Sequence, residues 1–364
     1  MKIIIAGGGT GGHIFPALAI ANALKNKIPG IEILFVGAKG KMEMEKIPAA
    51  GYEIEGLDIA GYNRSSLIKN IGLPFKLIKS FSQVRKIFKS FKPDAVVGVG
   101  GYSTFPVLRF AQGKEIASFI HESNSLPGKS NIMLGKRATR IFVPSEGMGK
   151  YFPLQKIMIT GNPIRKVFSK KIEKQDALQF FGLKPELKTI FVMGGSLGAK
   201  SINETIEENI DVFKKHNLQL IWQTGKNFSE TAAKQEEERT NIWTNAFIDK
   251  MENAYAAADV VVARSGAMTV AEICVVGKPA IFVPYPFAAE DHQTVNAMSL
   301  VNKKAALIVP DKKVKNELFP CLLQLINDEP MMKNLGNNAS ELKNINADEI
   351  IAAEIIKQIN TKAQ

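Results

Sequence analysis

The chain has 364 residues, 45% hydrophobic and 23% charged, with two cysteines and a formal net charge of +12. That length suits two domains, and the composition is that of a folded globular chain. Cys274 and Cys321 stand in apolar helical contexts without metal spacing, so a disulfide framework is excluded and a reducing compartment expected. No run approaches ~20 apolar residues, which excludes a membrane-spanning helix, and the positive charge predicts an acidic partner. The N-terminus reads as carrying no signal peptide, because only a few apolar residues precede a glycine turn.

Lys2 to Ala6 reads as a buried strand, followed by the turn Gly7-Gly8-Gly9-Thr10-Gly11-Gly12, then His13 and a helix with Ile14, Leu18 and Ala21 on one face. Strand, glycine turn and helix is the geometry in which backbone N–H groups face a diphosphate. Gly7, Gly9 and Gly12 satisfy GxGxxG, but no acid follows at a second strand end; Lys39 and Lys41 stand there instead. A tight turn without a ligand is the simpler alternative.

Ile31-Val36 and Tyr52-Leu57 read as strands and Ile59-Ser66 as a loop. From Arg64 to Lys92 there are eight Lys/Arg and no Asp/Glu. Leu77, Phe81, Val84, Phe88 and Phe91 form one helical stripe, flanked by Lys76, Lys79, Arg85, Lys86, Lys89 and Lys92. A core-facing helix with a solvated basic face explains this pattern. So does a segment leaning on an anionic membrane, with Leu73, Pro74 and Phe75 exposed.

Asp94-Val99 is a strand entering a second glycine turn, Gly98-Val99-Gly100-Gly101-Tyr102, with Ser103 and Thr104 as expected helix caps. Ser118-His121 leads into His121-Glu122-Ser123-Asn124. Arg140-Pro144 and Ile157-Ile159 follow, and Gly161-Asn162-Pro163-Ile164-Arg165 closes the first half. The charged stretch Lys170 to Lys188 is expected to be helical. Thr189-Met193 then repeats the opening pattern, with the turn Gly194 to Ala199 and a helix from Ser201.

Further strands are expected at Leu218-Trp222, Asn245-Ile248, Val260-Ala263, Pro279-Pro284 and Ala305-Val309. Helices are expected at Phe228-Arg239, Met251-Ala258, Met268-Val276 and, amphipathic, Ala347-Ile359. This alternation implies two doubly wound parallel sheets. Ligands bind beyond the carboxyl ends of such strands, where every motif falls, so facing domains would gather them around one cleft.

Taken together, GGGTGGHIFPALAIA, GVGGYSTFP, HESNSLPG, GNPIR, MGGSLGA, RSGAMTVAE and DHQTVNA resemble the MurG family of glycosyltransferases (family 28), in that family's order and over nearly the whole chain. The resemblance implies an α/β GT-B fold of two Rossmann-like domains: residues 1–163 as acceptor and membrane-facing domain, joined by a C-terminal helix 346–364, and 164–345 as donor domain. It implies an inverting transfer of N-acetylglucosamine from UDP-GlcNAc to the C4 hydroxyl of MurNAc in undecaprenyl-pyrophosphoryl-MurNAc-pentapeptide (lipid I), giving lipid II at the cytoplasmic face of the inner membrane. UDP-GlcNAc, lipid I, an anionic membrane surface and other cell-wall enzymes are the implied partners, with no nucleic acid. One alternative is a related UDP-sugar transferase acting on another lipid such as diacylglycerol. Another is a non-catalytic nucleotide-sugar or nucleic-acid binder, although no aromatic-interleaved basic platform is present.

The chain contains no DxD, so UDP departure is expected to rest on glycine-turn N–H groups and helix dipoles, with no metal and no cofactor. The resemblance carries Ser196 and Arg165 to phosphate contacts; as residues alone they also read as an N-cap and a surface charge. It makes Glu272 the ribose ligand, where a helix-dipole carboxylate is the plainer reading. Ala267, Met268, Thr269, Val270 and Ala271 line the nucleotide, Ile248 reads the uracil through its backbone, and Gln293 holds sugar hydroxyls. His292 stands where the family often has a second glutamine. Thr10, Gly11, Gly12 and Asn124 complete the substrate site, and Gly101 and Tyr102 face the acceptor. His13 is the first choice of base, kept neutral by a helix N-terminus, with a structural turn histidine as alternative. Glu122 is the rival base or a partner for His13. Donor binding is expected to order the loop Tyr285-Glu290.

Overall fold

The computed structural model describes residues 1–61, 72–195, 197–237 and 239–363. Arg64 and Lys69 of the basic run, and Ser196, lie outside the described residues. The chain forms two compact units: Met1–Arg165 with Asn346–Gln364, and Lys166–Ile345.

The first unit is a seven-stranded sheet: β1 (Lys2–Ala6), β2 (Glu32–Ala38), β3 (Glu53–Leu57), β4 (Ala95–Gly98), β5 (Ala117–His121), β6 (Arg140–Val143) and β7 (Ile157–Ile159). Their order is β3-β2-β1-β4-β5-β6-β7, every pair parallel. The central strands are apolar at consecutive positions because both faces are covered. Alternate residues enter two cores: Ile3, Ile5, Val97 and Phe119 on one face, Ile4, Val96, Ile120 and Ile141 on the other.

The first of these cores is closed by two helices from opposite ends of the chain. Ile14, Ala17, Ile20, Ala21 and Leu24 of helix Gly11–Lys27 pack with Ile351, Ala352 and Ile355 of helix Ala347–Ala363. Arg140 to Glu354 at 2.8 Å and Lys27 to Glu349 at 2.9 Å pin the last helix. Helix Leu73–Phe91 buries Val84 and Phe88 of the expected stripe against the other core, while its six flanking basic residues are exposed.

The second unit has β8 (Lys188–Met193), β9 (Leu218–Gln223), β10 (Ile242–Asn245), β11 (Val260–Ala263), β12 (Ala280–Phe282) and β13 (Leu307–Ile308), ordered β10-β9-β8-β11-β12-β13 and all parallel. In each sheet the strand order reverses once, at β1/β4 and at β8/β11. The loops leaving those strands are therefore the glycine turns, at the switch point where such sheets bind ligands.

Three local expectations are corrected. β10 is Ile242–Asn245, not Asn245-Ile248: pairing of Ile242 to Leu220 through Asn245 to Gln223 sets the register, and Phe247 stays exposed. Helix is confined to Lys174–Phe180 within the charged stretch, docked where Lys174 pairs with Asp259 at 2.7 Å. Ser103 and Thr104 do not cap a helix through their side chains. Thr104 Oγ1 instead donates to the carbonyls of Ala6 and Gly100, at 3.0 Å each, and ties β1 to the second glycine turn.

Candidate active site

In the first unit the turns after β1 and β4 interlock. Gly8 N–H donates to Gly100 O at 3.1 Å, and Gly7 N–H to Val36 O at 3.1 Å. Gly100 has φ +98, and a Cβ there would fall 2.6 Å from Nε2 of His13, so only glycine lets the imidazole lie against this turn. His13 stands in the first turn of helix Gly11–Lys27, which has no acidic residue there. Its Nδ1 lies 2.9 Å from Gly8 O. A carbonyl only accepts, so Nδ1 is the donor in this contact, and in the neutral ring Nε2 is then the nitrogen with the lone pair.

Thr10, Gly11 and Gly12 form the entry to this helix, and Gly12 O accepts from Ser123 Oγ at 3.5 Å, which brings the HESN loop beside it. The Tyr102 ring, half exposed, lies over Gly61. Arg165 places its guanidinium 5.5 Å from the centre of the Phe15 ring on the same helix. His121 is fully buried, and that burial is the main reason its pKa is pushed down to about 3. Its Nε2 and Asn162 Oδ1 both lack a hydrogen-bond partner among the described residues.

Glu122 is nearly buried, and both its oxygens are committed. Oε1 accepts from the backbone N–H and the Nδ2 of Asn124, at 3.0 and 3.2 Å. Oε2 accepts from Gly128 N–H at 3.2 Å and Asn131 Nδ2 at 2.8 Å. Four donors on one carboxylate organise the loop 122–131 and aim Asn124; they leave no open lone pair for a proton from substrate.

In the second unit six of the predicted residues follow β11, at the β8/β11 switch. Helix Ala267–Val276 starts directly after β11 and carries Ala267, Met268, Thr269, Val270, Ala271 and Glu272. Gly266 precedes it in an extended conformation with no side-chain cap, so the first N–H groups of the helix have no intrahelical acceptor. Glu272 is half-buried, and its Oε2 accepts from the Tyr255 hydroxyl at 2.9 Å. Tyr255 is itself held edge-on by Phe168 and Phe191.

Gln293 is fixed at both ends: its Oε1 accepts from Tyr285 N–H at 2.9 Å, and its backbone carbonyl accepts from Ser265 Oγ at 2.8 Å. Its Nε2 has no hydrogen-bond partner among the described residues. His292 places Nδ1 2.7 Å from Ala289 O. Ile248 is buried and its N–H donates to Gln223 Oε1 at 3.0 Å. Glu290 and Asp291 adopt left-handed φ of 57° and 56°, so the loop Tyr285-Glu290 meets its helix through strained backbone. Arg264 holds that loop from below, donating to Val283 O and Pro284 O at 3.0 Å each and pairing with Asp311.

Sequence reasoning passed over Tyr255, Gln223, Asn131 and Glu43. None belongs to a glycine motif; each is a polar group inside an ordinary helix or strand pattern, and only its burial beside a motif residue gives it meaning. Among the described residues no cluster of three or more His, Cys, Asp or Glu is placed to hold a metal.

Residues 3–143 match the glycosyltransferase family 28 N-terminal domain and residues 189–357 the glycosyltransferase family 28 C-terminal domain. The UDP-N-acetylglucosamine–N-acetylmuramyl-(pentapeptide) pyrophosphoryl-undecaprenol N-acetylglucosamine transferase of Parabacteroides distasonis is 46% identical over 364 residues, covering 99% of each chain. Its counterpart in Christiangramia forsetii is 46% identical over 363 residues, covering 100% of this chain and 99% of the other. The crystal structure of Acinetobacter baumannii MurG superposes with a TM-score of 0.79 at 28% identity, over 98% of this chain and 99% of that one. The two parallel-sheet units are thus those of the GT-B fold. With both domain models matched in order and full-length relatives at this identity, the chain belongs to glycosyltransferase family 28.

Proposed function

We propose that this protein transfers N-acetylglucosamine from UDP-GlcNAc to the C4 hydroxyl of MurNAc in lipid I, with inversion, giving lipid II for peptidoglycan. The full-length relatives carry this activity in their names, which favours it over transfer to diacylglycerol. The observation that carries the catalytic reading is the 2.9 Å approach of His13 Nδ1 to Gly8 O.

The C4 hydroxyl attacks the anomeric carbon. The new C–O bond forms as the bond to the UDP phosphate breaks, the hydroxyl proton passes to Nε2 of His13, and UDP leaves with the bonding pair. The second unit supplies the donor site. Glu272 accepts from the ribose hydroxyls, Gln293 Nε2 donates to the sugar, and the residues from Ala267 to Ala271 line the nucleotide with open helix N–H groups. Ser196 and Arg165 take the phosphates. Because Ile248 N–H is engaged by Gln223, the carbonyl of Ile248 is the backbone group left for uracil. In the first unit Thr10, Gly11, Gly12 and Asn124 complete substrate binding, Gly101 and Tyr102 face the acceptor, and Glu122 acts as the anchor of Asn124 rather than as base.

The first unit also holds the lipid acceptor at an anionic membrane surface. Phe75 and Ile78 are 74% and 68% exposed on the basic helix Leu73–Phe91, a mixture that favours such a surface. No described helix is long and apolar enough to cross a membrane. A peripheral place at the cytoplasmic face of the inner membrane, beside other cell-wall enzymes, follows from this reading.

The test is UDP release from UDP-GlcNAc with a short-chain lipid I analogue in EDTA, for the wild type and His13→Ala. Wild-type turnover that persists in EDTA, cut by about 10²-fold or more in the variant, is the expected result. No wild-type turnover with this acceptor but turnover with diacylglycerol would overturn the acceptor assignment. Tight, salt-sensitive binding of polyuridine without any sugar transfer would overturn catalysis itself.

A further inference from the structure

We propose that Glu43 is a positioning residue for His13: its buried carboxylate clamps the glycine turn whose Gly8 carbonyl orients the imidazole. The inference rests on the reading of His13 as base. Glu43 opens the short helix Glu43–Ala49, in a stretch, KMEMEKIP, that looks like ordinary charged surface. Yet it is 1% exposed.

Glu43 Oε2 accepts from Gly9 N–H at 2.7 Å, on the turn after β1. Oε1 accepts from Ala38 N–H at 3.0 Å, at the end of β2. Among the described residues Glu43 has no ion-pair partner, so these two charge-assisted bonds are what compensates a carboxylate withdrawn from water. The side chain occupies room that only glycines leave. A Cβ at Gly8 would overlap its carboxyl carbon, and one at Gly37 would fall 2.5 Å from its Cγ. Gly8, adjacent to the clamped Gly9, donates to Gly100 O and accepts from His13 Nδ1. The path from Glu43 to the imidazole is therefore one hydrogen bond, one peptide unit and one hydrogen bond. Were the turn released, Gly8 O would no longer hold Nδ1–H and both tautomers and other ring orientations would become populated. The carboxylate contacts no substrate in this scheme and acts only through the turn.

The experiment compares the full-length wild type, Glu43→Gln, His13→Ala and the double variant, by kcat with UDP-GlcNAc and the short-chain lipid I analogue. Glutamine keeps the shape and one acceptor but sets an amide donor against the other backbone N–H. Glu43→Gln is expected to lower kcat by about 10-fold or more, and the double variant to be within about twofold of His13→Ala alone, since residues acting through one another are non-additive. Gly37→Ala is the second probe: its φ is ordinary for alanine, and the new methyl displaces the carboxylate without removing it. It is expected to give the same loss and the same non-additivity. Near-wild-type turnover of Glu43→Gln and Gly37→Ala beside a slow His13→Ala, or losses that multiply in the double variant, would overturn this inference alone. Wild-type turnover of His13→Ala would overturn the base assignment, and the inference with it.

Discussion

The hydroxyl of Tyr255 donates to Oε2 of Glu272 across 2.9 Å, so one oxygen of the proposed ribose ligand is already oriented before any nucleotide arrives. Tyr255→Phe keeps the aromatic packing against Phe168 and Phe191 and deletes only this donor. A net hydrogen bond of about 1 kcal/mol corresponds to a KM for UDP-GlcNAc raised about 3- to 10-fold, with kcat little changed. Steady-state kinetics at saturating acceptor measures this; an unchanged KM would detach Tyr255 from donor binding.

The four hydrogen bonds on Glu122 predict a different signature from that of a base. Glu122→Gln is expected to lower turnover by disturbing the loop 122–131, while the pH dependence of kcat/KM keeps the wild-type shape. His13→Ala is expected to remove the acidic limb. Parallel pH–rate profiles of the two variants decide between them, and loss of the acidic limb in Glu122→Gln would return the proton to that carboxylate.

Burial of His121 has a consequence for stability. The folded ring titrates near 3 and the unfolded ring near 6.5. Between those values the unfolded chain binds the extra proton, so this contribution is fully present above about pH 6.5 and is lost as pH falls toward 3, with a slope of at most about 1.4 kcal/mol per pH unit. Urea unfolding at several pH values between 7 and 4 should therefore show a shallower acid dependence for His121→Asn than for the wild type. Equal slopes would mean that His121 is protonated in the folded protein.

The last helix belongs energetically to the first unit. Ile351 is fully buried with Ile14, Ala17 and Ile20, so Ile351→Ala removes core volume there. The unfolding transition of the first unit is expected to lose about 2–5 kcal/mol, with that of the second unit unmoved. Separate probes on each unit during denaturation read this directly; an equal loss in both, or none, would contradict the packing.

The strands and glycine turns were legible because their signals are local. KIIIAGGGTGG and TIFVMGGSLGA each state a buried strand breaking into bare backbone, and both halves say so in the same way. The stripe on helix Leu73–Phe91 was legible from its period, and Val84 and Phe88 are indeed its buried members. The motif order was enough to identify the family from residues alone.

Tertiary structure decided the rest. The strand Ile242–Asn245 takes its register from β9, not from the more apolar residues after it, because ladder pairing outweighs local hydrophobicity. Glu43 and Tyr255 look in sequence like any solvated acid or helical aromatic, and Glu122, though its motif singles it out, reads as much like a base as an anchor. What distinguishes them is which donor or acceptor from a distant segment meets them once water is excluded, and that depends on the crossing of chain segments. The sequence by itself determined the two parallel sheets and where the turns lie. Only the folded chain decided which buried carboxylate holds a loop and which imidazole nitrogen is bare, since hydrogen-bond partnership is a property of places brought together, not of neighbours along the chain.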